Sequence, residues 1–218
     1  MQNKYPLPLI PQQIDHLRGC TLFTKFDIRW GYNAVQVKKG HEWKAAFTTN
    51  EGLYEPTVMF FGLTNLPMTF QSMMNMLFHN QIASGELTVY MDDMVMHTSQ
   101  KEGEMHEEHL EYHRKIVNEV LAILEQNNLY LNINKCEFEQ SHIDFLGVHI
   151  ENNQLKMEDA KIEKVRDWTP PQNLKEVWRF LGFTGYYQYF IKGYSAITRP
   201  LLDLTKQATP WHWEEPQQ

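Results

Sequence analysis

Short apolar runs divided by polar turns fill the first hundred positions, and helical periodicity dominates afterwards. Tyr5-Pro6-Leu7-Pro8-Leu9 is expected to be extended, followed by a short helix over Pro11–Leu17 with proline in its first turn. Leu22-Phe23-Thr24-Lys25-Phe26-Asp27 reads as a strand. Gly31 follows closely, so Asp27 stands near the strand's end. Val35-Gln36-Val37-Lys38 alternates apolar and polar positions, as does Ala45-Ala46-Phe47-Thr48 less cleanly, and both are expected strands. Beyond Thr64 a helix carries Phe70, Met73, Met74, Leu77 and Phe78 at helical spacing. Leu87-Thr88-Val89-Tyr90 and Met94-Val95-Met96 then predict a hairpin with Asp92 and Asp93 at or beside its tip.

A long helix over residues 103–127 follows, with the apolar stripe Leu110, Val117, Val120, Leu121 and Leu124, ended by Asn127-Asn128. Two or three short strands come next, among them Phe145–Ile150, and Glu151-Asn152-Asn153 is a turn. From there the pattern is helical. Residues 158–168 place Ile162, Val165 and Trp168 on one face. Thr169-Pro170-Pro171 breaks that helix, Asn173 with Glu176 resembles a capping box, and a third helix covers Ala196–Leu204. The fold class is therefore α+β, with one domain over residues 1–152 and a small helical one over 153–218.

The 218 residues, 42% apolar and 22% charged, have the composition of a folded protein with a substantial core. No apolar run reaches the ~20 residues a membrane span needs, and the N-terminus lacks a signal-peptide stretch. Cys20 and Cys136 lie far apart and read as reduced thiols. An intracellular protein, cytoplasmic or nuclear and without a membrane partner, is the expectation. The net charge of −7 suits a nucleic-acid binder poorly. Within residues 155–206, however, nine Lys and Arg face six acids, a local +3 that leaves −10 elsewhere.

Two carboxylates between apolar strands are costly unless a cation neutralises them. If the strands of Asp27 and Asp92 are neighbours, Asp27, Asp92 and Asp93 converge. Hard oxygen ligands suit Mg²⁺, and two such ions about 3.5–4 Å apart serve in-line displacement at phosphorus. An Asp-Asp pair is equally the ordinary content of a solvated turn. His106, His109 and His113 share a helix face, and six nearby glutamates make a solvated polar face the expected reading.

Four segments in order, Phe26-Asp27-Ile28-Arg29-Trp30-Gly31-Tyr32, Phe60–Gln71, Tyr90-Met91-Asp92-Asp93 and Phe145-Leu146-Gly147, closely resemble the reverse transcriptase of gypsy-class long-terminal-repeat retrotransposons. The resemblance spans Asn3 to Trp213. It implies a polymerase palm with an antiparallel sheet backed by helices, partial fingers, and a small helical thumb from residue 153. The implied activity is RNA-directed DNA polymerase, with template RNA or DNA, a primer and deoxynucleoside triphosphates as partners.

The resemblance makes Asp27 and Asp92 ligands of two Mg²⁺ ions (Mn²⁺ being an alternative), with Asp93 a weaker partner. It makes Tyr32 a gate against the ribose 2′-hydroxyl and gives Trp30 and Gly31 backbone contacts to the triphosphate. Phe61 and Gly62 would lie against nucleotide and template, and Phe145, Leu146 and Gly147 would form the primer grip. Trp178, Phe180 and Phe183 would be thumb core. Phe60, Leu66 and Met68 depart from the family's usual residues. The family's basic fingers segment and RNase H domain lie outside these residues, so the second expectation is a catalytically inactive remnant that at most binds nucleic acid.

Overall fold

A computed structural model of the chain describes residues 5–206 together with Trp211 and Trp213. The ends of both expected domains, residues 1–4 and those beyond Lys206 apart from the two tryptophans, lie outside the described residues.

Helix α1 (Ile10–His16) carries proline in its first turn and buries Ile14. Strand β1 (Leu22–Arg29) runs two residues beyond Asp27. A short hairpin, β2 (Phe47–Thr49) and β3 (Gly52–Tyr54), leads to α2 (Leu66–Leu77) and the brief α3 (His79–Ala83). Strands β4 (Leu87–Tyr90) and β5 (Asp93–Thr98) form the aspartate hairpin, and α4 (His106–Gln126) follows. Next come β6 (Tyr130–Leu131), β7 (Glu137–Gln140), β8 (His142–Phe145), β9 (Val148–Glu151) and β10 (Gln154–Met157). The chain continues in α5 (Asp159–Arg166), α6 (Leu174–Tyr186) and α7 (Tyr194–Leu204).

The central sheet runs β4-β5-β1-β6, with β7 also pairing with β1, and β10-β9-β8 form a second sheet. The β1–β5 and β4–β5 pairings are antiparallel. Residues β5 94–98 are all buried because both faces of the strand are covered. The core joins Phe26, Met94 and Met96 of the sheet to Phe70, Met74 and Phe78 from α2 and its C-cap, and to Ile116, Val117, Val120 and Leu124 of α4. Leu66 at the start of α2 is also buried. No helix among the described residues is long and apolar enough to cross a membrane.

Several sequence expectations need correction. Val35–Lys38 is no strand. Its alternation meets only one bridge, Gln36 to Val58, and without a longer partner it stays a connector. Phe145–Ile150 is not one strand but the end of β8, a turn, and β9. Leu146 and Gly147 both have positive φ (49° and 77°), the condition of a tight two-residue hairpin turn.

The third correction concerns the histidines. His109 and His113 are buried, while His106 is exposed. The buried face of α4 continues toward its N-terminus through these two imidazoles, because strand hydroxyls satisfy them. Thr98 Oγ1 lies 2.8 Å from His109 Nε2 and 3.0 Å from His113 Nδ1, and Thr24 Oγ1 lies 2.9 Å from His113 Nε2.

The chain divides into two compact units, residues 1–146 with 150–154, and residues 147–149 with 155–218. In the second unit Val177, Leu181, Leu201 and Leu204 make a small core. Asn173 caps α6 by accepting from the Glu176 N–H at 3.0 Å. Trp168 meets Phe180 and Phe183 at 5.5 and 5.3 Å between ring centroids, whereas Trp178, placed in the core by the sequence reading, is 54% exposed. It lies one position off the buried stripe of Val177, Leu181 and Thr184.

Candidate active site

The aspartate site begins with strand register. Asp27 of β1 is the partner of Asp93 of β5, and directly opposed residues of an antiparallel pair carry their side chains on the same face. Asp92 occupies the turn between β4 and β5, and its carbonyl accepts from the Ile28 N–H at 3.3 Å. Three carboxylates from positions far apart in sequence are thus neighbours. The turn pairs Tyr90 with Asp93. Its first central residue, Met91, has φ 55°, a left-handed conformation that costs roughly 1–2 kcal/mol for a residue with a Cβ. Strain of this kind clusters at functional sites.

An open cavity of about 570 Å³ adjoins these acids, lined by Asp27, Asp92, Arg29, Trp30, Gly31, Tyr32, Phe61 and the 131–135 segment. Tyr32 is held there by edge contacts to Phe61 and Phe70, with centroids 5.1 and 5.0 Å away, and its hydroxyl donates to Met91 Sδ at 3.6 Å. Gly31 is required by close packing: a Cβ there would stand 2.7 Å from Phe70 Cζ. Trp30 is exposed in a left-handed conformation with φ 53°, and the Arg29 guanidinium carbon lies 4.5 Å from its ring centroid. Phe61 is exposed at the cavity's rim, and Gly62, with φ 101°, supplies the turn beside it.

Some of the expected site residues are not at this cavity. Asp93 stands beside it in the strand without lining it, and Gly62 is also outside the lining. Phe145, Leu146 and Gly147 form the β8–β9 turn, where Phe145 is buried and a Cβ on Gly147 would meet the Tyr187 hydroxyl oxygen at 2.8 Å.

The electrostatics follow from this crowding. Burial is the main influence pushing the Asp93 carboxyl above its usual range; Asp92 and Asp27 push it further up, while Lys25 and Lys135 oppose them. Burial raises the Tyr32 phenol, with the charges of Asp92 and Asp93 adding to the effect. Lys135 Nζ donates to Asp27 Oδ2 at 3.2 Å, so an ammonium already answers one of the carboxylates. This lysine follows a short polar segment after α4, and nothing in its spacing marked it in the sequence.

Gln71 was also missed. It closes the segment Phe60–Gln71 with no role of its own in the sequence, yet it is fully buried and bonds the aspartate hairpin at the Val89 carbonyl and at the N–H of the strained Met91.

The donor set is hard carboxylate oxygen on a cavity open enough to admit phosphate and water, which is the chemistry Mg²⁺ uses when substrate completes its shell. No group of three or more His, Cys, Asp or Glu side chains among the described residues forms a ready-made metal cage. The fit is therefore to an ion shared with substrate oxygens rather than one held by protein alone.

Comparison with known proteins agrees with the fold. The foamy viral protease-reverse transcriptase in complex with double-stranded DNA superposes over the whole of this chain and 37% of its own, with TM-score 0.84 and 22% identity. The same viral protein in complex with an RNA/DNA hybrid covers 99% of this chain and 28% of its own, with TM-score 0.79 and 24% identity. In sequence, the Tf2-3 transposon polyprotein of Schizosaccharomyces pombe is 38% identical over 211 residues, and the Tf2-7 polyprotein of the same yeast is 37% identical over that length. Each alignment spans 97% of this chain and 15% of the polyprotein. The family profile described as reverse transcriptase (RNA-dependent DNA polymerase) matches residues 1–150, and with that match the chain belongs to the reverse transcriptase family.

Proposed function

We propose that this chain is the palm and thumb portion of a gypsy-class retrotransposon reverse transcriptase, with palm and partial fingers over residues 1–152 and thumb from residue 153. The reaction is attack of a primer 3′-hydroxyl on the α-phosphate of a deoxynucleoside triphosphate. The observation that carries this reading is the opposition of Asp27 and Asp93 across β1 and β5, with Asp92 in the adjoining turn beside an open cavity.

Asp27 and Asp92 would hold Mg²⁺, assisted by Asp93. When bound, the ions acidify the attacking hydroxyl and neutralise the pyrophosphate leaving group. The remaining work belongs to the chain. Tyr32, held between Phe61 and Phe70 at the cavity, would exclude a ribose 2′-hydroxyl by the bulk of its ring. The turn at Trp30 and Gly31 offers backbone N–H groups to the triphosphate, and Phe61 and Gly62 border the nucleotide. Phe145, Leu146 and Gly147 form a tight turn suited to aiming a primer terminus, where small displacements cost orders of magnitude in rate. Template binding is supported by the duplex and hybrid complexes of the foamy viral protein.

The rival reading, an idle nucleic-acid-binding remnant, draws on the Lys135–Asp27 ion pair, which occupies one of the proposed metal ligands. Primer extension on oligo(dT)/poly(rA) with Mg²⁺ separates the two. The wild-type chain is expected to extend the primer, and Asp92→Asn to lose at least about 10²-fold in rate. No extension by wild type, or equal extension by both, would leave only the remnant.

A further inference from the structure

Gln71 is the only Asn or Gln side chain buried among the described residues, and it lies against the aspartate hairpin rather than in the cavity. Its Oε1 accepts from the Met91 N–H at 2.7 Å, and its Nε2 donates to the Val89 carbonyl at 3.1 Å. These two groups flank Tyr90, one turning into the loop and the other still in β4. Only a side chain with an acceptor and a donor side by side serves both.

The second hydrogen of Nε2 goes to Asn75 Oδ1 at 2.8 Å, and Asn75 Nδ2 donates to the Tyr5 hydroxyl oxygen at 2.7 Å. The polarity of this chain of bonds is fixed. Turning the Gln71 amide over would set its NH₂ against the Met91 N–H and its oxygen against the Val89 carbonyl. Once Gln71 is oriented, Asn75 must offer it oxygen and face Tyr5 with nitrogen. One turn of α2 separates Gln71 from Asn75, so both lie on the same helix face.

We propose that Gln71 is a positioning residue that holds Met91 in its left-handed conformation and thereby aims Asp92 and Asp93. We further propose that Asn75 and Tyr5 orient Gln71, coupling the N-terminal segment to the hairpin. Met91 stands at the one hairpin position where the backbone is strained, and its N–H donates out of the hairpin to Gln71. The clamp meets that N–H, so releasing it frees the residue that decides where the next two side chains point. The catalytic part of this inference rests on the polymerase reading; the clamp itself does not.

The test uses the full 218-residue protein and two readouts. Amide hydrogen exchange at Met91, referenced to Val95 in the same hairpin, reports the clamp directly. Steady-state primer extension reports its consequence. Gln71→Leu and Gln71→Met each keep most of the bulk of the side chain and remove both bonds. Each is expected to speed Met91 exchange about tenfold relative to Val95, as the loss of one or two net hydrogen bonds implies. Tyr5→Phe keeps the ring, and is expected to speed Met91 exchange by roughly threefold.

In extension, the Gln71 variants are expected to lose kcat with KM for the deoxynucleotide unchanged, because the aim of the acids and not nucleotide contact is altered. Unchanged Met91 exchange in Gln71→Leu or Gln71→Met overturns the clamp, and unchanged exchange in Tyr5→Phe overturns the coupling to the N-terminal segment. If Gln71→Met does not fold, Gln71→Leu and Tyr5→Phe decide both points. A wild-type chain that extends no primer refutes the polymerase reading, while the exchange measurement still decides the clamp.

Discussion

Tyr32 is set by its neighbours before any substrate arrives. Two aromatic edges and a methionine sulfur hold its ring at the cavity, and burial, with the carboxylates nearby, keeps the phenol neutral. If the ring is the gate, its bulk matters and its hydroxyl does not. Tyr32→Ala is expected to raise ribonucleotide use relative to deoxynucleotide use by about tenfold or more, and Tyr32→Phe to leave the ratio unchanged. Competitive incorporation of the two sugar types checks this, and an unchanged ratio in Tyr32→Ala would place the gate elsewhere. Tyr32 was legible in the sequence because it stands at a fixed interval from Asp27 within a dense motif. Lys135 and Gln71 were not. Lys135 reaches Asp27 from 108 positions away, and Gln71 gains its importance from where α2 passes the hairpin.

At the level of elements, the packing of α4 and the N-terminal residues against the sheet carries a pH signature. Successive strand side chains point to opposite faces. Thr98 therefore meets His109 and His113 of α4, while His97 turns to Cys20 and Thr88. Burial pushes both His97 and His113 down to about 4, and it lowers His109 as well. Unfolded histidines protonate near pH 6.5. Between about pH 6.5 and 4 the unfolded chain binds more protons than the native one, so stability falls as pH drops through that window and is level above it. The loss attributable to His97 and His113 is roughly 3 kcal/mol each once pH reaches the lower end. Urea denaturation at pH 7.5, 6 and 5 checks this; equal midpoints would show that the imidazoles charge without leaving their sites. Helical periodicity marked α4 but not its polar burial, since a histidine facing glutamates in sequence says nothing of the threonines that meet it in space.

On the scale of the whole molecule, the charge is divided unevenly. A net −7 chain with a local excess of +3 in residues 155–206 is expected to hold nucleic acid through few phosphate contacts. If that excess sets the number of phosphates neutralised, the affinity for an RNA/DNA hybrid falls with a log–log salt slope of roughly −3. Fluorescence anisotropy between 50 and 200 mM salt, roughly the range in which such binding changes most, measures it. A slope near zero would mean that the basic segment does not contact the backbone.

The sequence by itself determined the strands at Leu22 and Leu87, the long helix after the hairpin, the cap at Asn173 and the likeness to reverse transcriptases. Each of these depends on neighbours in the chain: periodicity, capping residues, or motifs in order. Only the tertiary structure decided that Asp27 faces Asp93 and that Lys135 answers Asp27. It alone showed that two histidines on an acidic helix are buried, and that an amide on α2 grips the turn of another hairpin. Those facts depend on strand register and on how helices cross a sheet. Both arise from burying many side chains at once, which no local pattern encodes.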